Sequence, residues 1–286
     1  PSLIQAIMTD TADHSDPSAI AVPPPPTLKK RSVLQARVAI IAALVLREMA
    51  ARYGRSPGGY VWAVLQPLGM ILVLSVGFSL LFRTPSLGNS FFLFYATGFI
   101  PFNTYQTTCA VVTNTFKFSK ALLVYPVVTW FDAVVGRVVL NMLTAYLIAV
   151  VIFVGTFIVV GSAGPMRFGV ILEAMLAVVA FAAGIGMVNA CITSFYPVWE
   201  NFWAVVNRPL FLASGVIYIY DELPRGAQDI LWYNPLLHIT GMMRQGFFPS
   251  YTPAYISHSY VWGTTAVLVA AGVLMLRRFH REIINN

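Results

Sequence analysis

Six long stretches of apolar residues dominate this sequence. Each holds about the 20 mostly apolar residues that a helix needs to cross the hydrocarbon core of a bilayer. Hydrophobic residues make up 58% of the 286-residue chain and charged residues 10%, whereas soluble domains carry about 25% charged residues. The sequence therefore predicts an all-α membrane protein and excludes a soluble enzyme, a nucleic-acid-binding domain and a disordered regulator. The six predicted transmembrane helices occupy residues 60–82, 91–113, 132–160, 168–195, 201–220 and 260–276.

The segments outside these stretches predict three further features. Residues 1–33 contain four consecutive prolines and predict a flexible cytoplasmic tail. Residues 34–55 predict an amphipathic helix at the membrane interface, because arginines flank an apolar centre; a plain flank of the first span is the alternative. Residues 221–259 predict a periplasmic segment whose two short helices, 227–233 and 236–248, re-enter the membrane without crossing it.

The distribution of Lys and Arg predicts the orientation. Twelve basic residues fall on the side that carries the N-terminus and four on the opposite side, and the basic side of a membrane protein faces the cytoplasm. Both termini are therefore predicted to be cytoplasmic. The net charge of +7 does not indicate a nucleic-acid partner, because the basic residues lie beside apolar stretches. Cys109 and Cys191 lie inside such stretches, which predicts buried thiols.

The sequence lacks the short motifs of several enzyme classes. It contains no G-x-x-x-x-G-K-[ST] phosphate loop, no H-E-x-x-H and no C-x-x-C, and its four histidines are scattered. The sequence therefore predicts no catalytic residue, no metal site and no cofactor in this chain. It also predicts that the energy for transport comes from a partner protein. Asp221 and Glu222 are the only adjacent acidic pair. They leave a membrane glycosyltransferase or lipid-modifying enzyme as the alternative, since such an enzyme needs paired carboxylates.

An aromatic face runs along the second stretch at spacings of three to four residues. Flat rings suit sugar rings, and a tyrosine hydroxyl adds a polar handle; ordinary packing is the alternative. Arg208 in the fifth stretch is either a contact for an anionic substrate or a side chain that reaches the membrane surface. The predicted substrate channel comprises Tyr95, Phe99, Phe102, Tyr105, Trp203 and Arg208.

Residues 117–126, between the second and third stretches, combine basic with apolar and aromatic side chains. A solvated loop does not need that apolar content, and exposed apolar patches mark contacts. The segment therefore predicts docking of a soluble partner, with a plain loop as the alternative. The residues assigned to this contact are Lys117, Lys120, Leu122, Leu123 and Tyr125.

Three stretches, in this order, resemble the ABC-2-type permeases of polysaccharide exporters. Residues 46–68 read LREMAARYGRSPGGYVWAVLQPL, residues 208–218 read RPLFLASGVIY, and residues 234–248 read NPLLHITGMMRQGFF. The resemblance covers about residues 34–282 and is nearest to the KpsM-type subunits of capsular polysaccharide exporters. Permeases for O-antigen and teichoic acid are related to them.

The resemblance implies a permease with six spans in residues 56–286 that works as a homodimer. It implies a separate ATPase subunit of the KpsT kind, which binds ATP and Mg²⁺ and docks at the coupling segment 117–126. The substrate is expected to be a lipid-linked acidic polysaccharide that crosses the bacterial inner membrane and passes to a periplasmic co-polymerase adaptor of the KpsE kind. An ABC-2 exporter of O-antigen, teichoic acid, or a small lipid or drug is the alternative.

Two further groups of residues take their roles from the resemblance. An entrance for the lipid headgroup at the membrane surface is expected at Arg47, Arg52, Tyr53 and Arg55. The periplasmic segment contributes His238 and Arg244.

Overall fold

The computed structural model describes residues 33–53, 58–123, 128–160 and 165–285, and across these residues the chain is helical without a strand. The predicted all-α fold is confirmed. The chain divides into two units, residues 1–36 and 37–286, and the described part of the first unit is the opening turn of the first helix. The helices are α1 Val33–Tyr53, α2 Gly59–Ser79, α3 Phe91–Thr113, α4 Thr115–Leu123, α5 Trp130–Val160, α6 Phe168–Phe195, α7 Trp199–Ala213, a 3-10 helix Tyr220–Glu222, α8 Arg225–Leu231, α9 Pro235–Phe247 and α10 His258–Asn285.

Four of the described helices, α2, α5, α6 and α10, are long and apolar enough to cross a membrane. Helix α3 has the predicted bounds and 23 residues, but polar side chains such as Asn103 and Thr107 make it less apolar. Helix α7 differs from the predicted stretch 201–220, because it begins at Trp199, ends at Ala213 and has 15 residues. The fifth stretch therefore combines a short helix with a non-helical segment.

Helix α7 ends where the backbone needs glycine. Gly215 has a φ of 66°, and a Cβ atom there would lie 2.7 Å from Leu237 Cδ1. The carbonyl groups released after the end of α7 are bound by side chains of α9 and its N-cap residue, an arrangement named here the α9 clamp. In the clamp, Asn234 Nδ2 donates to Ala213 O at 3.0 Å, and Thr240 Oγ1 donates to Ser214 O at 2.7 Å. Arg244 donates twice, from Nη2 to Val216 O at 2.9 Å and from Nη1 to Tyr218 O at 2.6 Å.

The core of the described chain is built around α6, which packs against α3, α9 and α10. Close approach of α6 to α3 depends on Gly186, where a Cβ atom would lie 2.7 Å from Val112 Cβ and 3.0 Å from Cys109 O. Both cysteines are free and buried, which confirms the predicted thiols. The tight α3–α6 contact leaves the remaining faces of α3 free to border α2, α5 and α7.

Candidate functional site

Two ion pairs fasten α1 to α5. Arg37 Nη1 lies 3.2 Å from Asp132 Oδ1, and Glu48 Oε2 lies 3.2 Å from Arg137 Nη2. Asp132 also accepts hydrogen bonds from the main-chain N–H and hydroxyl of Thr129, which caps the start of α5. Positions 37 and 48 are three helical turns apart, so the two pairs lie on one face of α1.

A cavity of about 480 Å³ opens between α1, α3 and α5, and it is named here the cationic cavity. Its wall carries three guanidinium groups, Arg47, Arg52 and Arg137, and one carboxylate, Glu48. The single carboxylate contacts Arg137 at 3.2 Å and Arg52 at 3.9 Å, so two positive charges in the wall have no compensating carboxylate there. Guanidinium groups bind phosphate and carboxylate through paired N–H donors. The cavity is therefore suited to an anionic group.

A second cavity of about 550 Å³, the polar groove, continues from the cationic cavity between α2, α3 and α5. The two cavities share Arg52, Ala110 and Val111. The groove carries three carboxamides on three different helices, Gln66, Asn103 and Asn141, and several threonine hydroxyls. Asn141 Nδ2 donates to Thr108 Oγ1 at 2.6 Å, whereas no hydrogen bond joins the Gln66 or Asn103 side chain to another described residue.

These two cavities together form one elongated site with a charged end and a neutral hydrogen-bonding end. The exposed indole of Trp62 stands at the rim of the groove. Amides, hydroxyls and an indole are the side chains that can pair with hydroxyl groups and cover the apolar face of a ring. An amphipathic ligand with an anionic group and a hydroxylated portion matches this arrangement.

The predicted entrance residues are partly brought together here. Arg47 and Arg52 line the cationic cavity. Tyr53 is the last residue of α1, and its side chain is outside the described part of the structure, as is all of Arg55. Reasoning from sequence also missed Arg137, the third guanidinium, because it comes from α5 and lies 89 residues from its partner Glu48.

The structure places most of the predicted channel aromatics in the protein interior. Tyr95, Phe102 and Tyr105 are at most 3% exposed, and Phe99 is also buried. The ring of Phe102 packs edge-on against Phe211 with centroids 5.2 Å apart, so the aromatic face of α3 contacts other helices of the same chain. Trp203 is half-buried and Arg208 is exposed.

The predicted coupling segment forms α4 in its first part. Lys117 Nζ lies 2.6 Å from Glu200 Oε2 in the first turn of α7. Lys120, Leu122 and Leu123 belong to α4, but their side chains are outside the described part of the structure, and Tyr125 lies outside the described residues altogether. Phe118, on the same helix, is 70% exposed.

His238 and Arg244 are both buried in α9. Ser257 N donates to His238 Nδ1 at 3.3 Å, and His238 Nε2 lies 2.7 Å from Trp232 O, so the ring is neutral with its proton on Nε2. Burial lowers the pKa of His238, and the bond to Trp232 O opposes that shift in part. Arg244 belongs to the α9 clamp, and its guanidinium stacks on the Phe94 ring at 4.3 Å.

Comparison with known proteins decides the family. The sequence profile of the ABC-2 type transporter family matches residues 40–248. The chain belongs to the ABC-2 type transporter family. It is 24% identical over 251 residues to the polysialic acid transport protein KpsM of Escherichia coli, covering 86% of this chain and 96% of KpsM.

Two further relatives of this ABC-2 chain carry related names. It is 25% identical over 258 residues to the capsule polysaccharide export inner-membrane protein BexB of Haemophilus influenzae, covering 90% of this chain and 96% of BexB. It is 25% identical over 245 residues to the capsule polysaccharide export inner-membrane protein CtrC of Neisseria meningitidis, covering 85% of this chain and 92% of CtrC. The relatives thus align along nearly their whole length.

The part of the ABC-2 chain that matches the family contains the whole candidate site. Every residue of the cationic cavity, the polar groove and the α9 clamp lies between residues 40 and 248. Helix α10 follows this region and packs against α6. The sequence signal that was overlooked is the polarity of α3, whose amides and hydroxyls interrupt a membrane-length helix, because such groups are costly in hydrocarbon unless they face a cavity or a partner.

Proposed function

We propose that this chain is the transmembrane permease subunit of an ATP-driven exporter that moves lipid-linked capsular polysaccharide across the bacterial inner membrane. The alignment with three capsule and polysialic acid export proteins over at least 92% of their length supports this function. The candidate site supports it independently. The cationic cavity suits the anionic anchor group or an acidic sugar, and the polar groove suits neutral sugar hydroxyls.

We also propose the remaining parts of the exporter. ATP and Mg²⁺ bind to a separate KpsT-like ATPase subunit, which docks at α4. Two copies of this chain form the channel with six spans each, and α3 and α7 supply the second and fifth spans. Helix α1 lies along the cytoplasmic interface, and both termini are cytoplasmic. The segment 221–259 re-enters the membrane from the periplasm, where a KpsE-like adaptor receives the chain.

The membrane enzyme is a weaker candidate in physical terms. Such an enzyme would need the carboxylates of Asp221 and Glu222 to act as a pair. Glu222 Oε2 accepts a hydrogen bond from Ser86 Oγ at 3.0 Å. Both carboxylates lie on a single turn of 3-10 helix. Neither lines the cationic cavity or the polar groove.

Deletion of this chain in its host tests the proposal. Fractionation and anti-glycan labelling should find lipid-linked polysaccharide trapped inside the cell, with synthesis intact. The wild-type chain should restore surface polysaccharide, and the variant Arg47→Ala/Arg52→Ala should restore much less. The matched control is Arg277→Ala/Arg278→Ala, which removes two exposed arginines of α10 outside the candidate site.

Two results would contradict the proposal. An unchanged surface coat in the deletion strain would mean that the substrate is another molecule. Loss of the polysaccharide from every fraction would point to a role in synthesis instead of export.

A further inference from the structure

A third cavity, of about 330 Å³, lies where α3, α6 and α7 meet and shares Ala110 with the other two. Its wall has an unusual composition for a membrane-spanning bundle: four carboxamides, two threonine hydroxyls, two indoles and one carboxylate. Polar groups at such positions are costly unless they bind each other, water or a ligand. We name it the indole cavity after Trp199 and Trp203.

Hydrogen bonds within the wall use only part of its polar capacity. Asn189 uses both of its polar atoms, because its Nδ2 donates to Cys109 Sγ at 3.7 Å and its Oδ1 accepts from Trp199 Nε1 at 2.9 Å. Asn207 Nδ2 donates to Trp203 O at 3.0 Å. Asn207 Oδ1 and the hydroxyl of Thr193, a side chain that is 7% exposed, have no partner among the described residues. An unpaired buried polar atom destabilises the folded chain by about 1–3 kcal/mol, so these two atoms indicate a ligand that brings both donors and acceptors.

The indoles supply the apolar part of the wall. The rings of Trp199 and Trp203 lie nearly parallel, with an interplanar angle of 24° and centroids 6.2 Å apart. The bond from Trp199 Nε1 to Asn189 fixes the first ring in place. A rigid, flat aromatic surface beside hydrogen-bonding amides and hydroxyls matches the alternating C–H faces and hydroxyl edges of a sugar ring.

The charge of the indole cavity distinguishes it from the cationic cavity. Its one charged side chain is Glu200, which is paired with Lys117 of α4 at 2.6 Å. No guanidinium lines it, whereas the cationic cavity has three. An anionic sugar gains no counter-charge here, so the cavity favours an uncharged, hydroxylated ring.

We propose that the indole cavity is a subsite for an uncharged sugar ring of the exported glycan. This inference rests on the proposed function. The subsite lies beside α4, because Glu200 at its wall pairs with Lys117. A displacement of α4 therefore acts directly on the wall of the subsite.

Site-directed photo-crosslinking tests the subsite in the intact exporter. The crosslinker p-benzoyl-phenylalanine replaces Gln106, an exposed residue in the wall of the cavity, in cells whose glycan carries a radiolabelled sugar. The matched control places the crosslinker at Val159, which is 86% exposed at the end of α5. We expect radiolabel on the chain crosslinked at position 106 and background label at position 159. Equal label at both positions, or a phospholipid adduct at 106, would overturn the subsite.

A pair of threonine variants supplies a second readout. Thr193→Val removes the unpaired hydroxyl from the cavity wall. Thr265→Val removes another buried, unpaired hydroxyl, on α10, that lines none of the three cavities. With equal amounts of chain in the membrane, export should fall several-fold for Thr193→Val only. Trp203→Phe should export better than Trp203→Ala. Equal export by both threonine variants would refute the subsite.

The outcomes for the subsite and for the proposed function are separable. If deletion of the chain traps glycan inside the cell but position 106 never crosslinks to sugar, export stands and the subsite is wrong. If deletion leaves the surface coat unchanged, the proposed function fails whatever the crosslinks show.

Discussion

Single buried polar residues fix the local structure of the segment that follows α7. His238 is enclosed, with both ring nitrogens engaged by main-chain groups. Protonation of Nδ1 would turn its acceptor into a donor facing the N–H of Ser257. Burial holds the pKa of His238 below its ordinary value, and the bond to Trp232 O opposes that shift in part. The phenols of Tyr255 and Tyr260 border the ring. Burial raises the pKa of Tyr255 to about 12, so this phenol stays neutral while the histidine titrates.

The lowered pKa of His238 predicts loss of stability in acid. In the unfolded chain this histidine binds a proton near its ordinary pKa of about 6.5, whereas in the folded chain it binds one only at lower pH. The free energy of unfolding therefore falls as the pH drops through about 6.5. The melting temperature of the purified protein should be lower at about pH 5.5 than at about pH 7.5, by about 2–4 °C for each kcal/mol of this linkage. In His238→Gln, whose amide retains one donor and one acceptor without titrating, the difference should shrink.

The matched control for this histidine is His280→Gln, since one ring nitrogen of His280 contacts a carbonyl. It should keep the pH dependence of the wild-type chain. A His238→Gln protein with an unchanged dependence would show that another group causes the acid loss.

Residue-level features were predictable from the sequence only where partners are close along the chain. The spacing of Glu48 and Arg52 predicts an i,i+4 pair, and the structure has it at 3.9 Å. The stronger contact of Glu48, to Arg137, joins residues 89 positions apart, and local spacing does not reveal it. The aromatic periodicity of α3 is real, but periodicity alone does not tell whether a face contacts substrate or another helix.

At the scale of elements, apolar patterning was enough to predict the bounds of α3 and α6, although α3 has a side-chain N-cap and α6 does not. Both α3 and α6 have the predicted bounds, and Ser90 caps α3 by accepting a hydrogen bond from Leu93 N at 3.3 Å. The end of α7 was not predictable. It depends on hydrogen bonds from side chains of the α9 clamp more than 20 residues away, which allow non-helical backbone in an apolar setting.

The contact between α4 and α7 predicts a charge dependence of export. Both side chains of the Lys117–Glu200 pair are about half exposed, so the pair adds little to stability. Its effect should instead appear in the transmission of movement from the proposed ATPase contact at α4 to α7. Lys117→Glu should lower surface polysaccharide several-fold with unchanged amounts of chain in the membrane. The double variant Lys117→Glu/Glu200→Lys should restore most of it, because the pair reforms with reversed polarity.

Cell-surface labelling and a membrane immunoblot measure the two quantities. Wild-type export by Lys117→Glu, or no rescue by the double variant, would mean that this contact does not transmit movement from α4.

At the scale of the whole described molecule, three polar cavities surround one end of α3. Ala110 lines all three: the polar groove, the cationic cavity and the indole cavity. Its side chain is exposed, so a larger side chain at this position would extend into the cavities. A glycolipid substrate, as proposed above, would place its anionic group and its sugars in neighbouring cavities along the same helix.

Filling this junction should block export without unfolding the chain. In Ala110→Phe the ring extends into the cavities and not into the core, so the melting temperature should change little, whereas overpacking of a filled core destabilises. Surface polysaccharide should fall about tenfold or more, equivalent to about 1.4 kcal/mol on the limiting step. The matched control is Ala270→Phe, at an exposed alanine of α10 outside all three cavities.

Quantified surface glycan and thermal melting of the purified variants distinguish blockage from misfolding. Normal export by Ala110→Phe would show that the glycan does not pass this junction.

The α9 clamp has a consequence for how this family diverges. Four of its bonds end on main-chain carbonyls of residues 213–218, so it binds mainly the backbone, and its one side-chain acceptor there is the Ser214 hydroxyl, 3.4 Å from Asn234 Nδ2. Substitutions at the acceptor positions should leave these bonds intact if they fit the packing around the buried Ser214 and Val216 and if Gly215 keeps its conformation. Asn234, Thr240 and Arg244, by contrast, each supply a side-chain donor. The two segments are joined by five hydrogen bonds, four of which end on main-chain carbonyls and therefore require no particular side chain at the acceptor position. Contact maps inferred from correlated substitutions should therefore show this junction weakly.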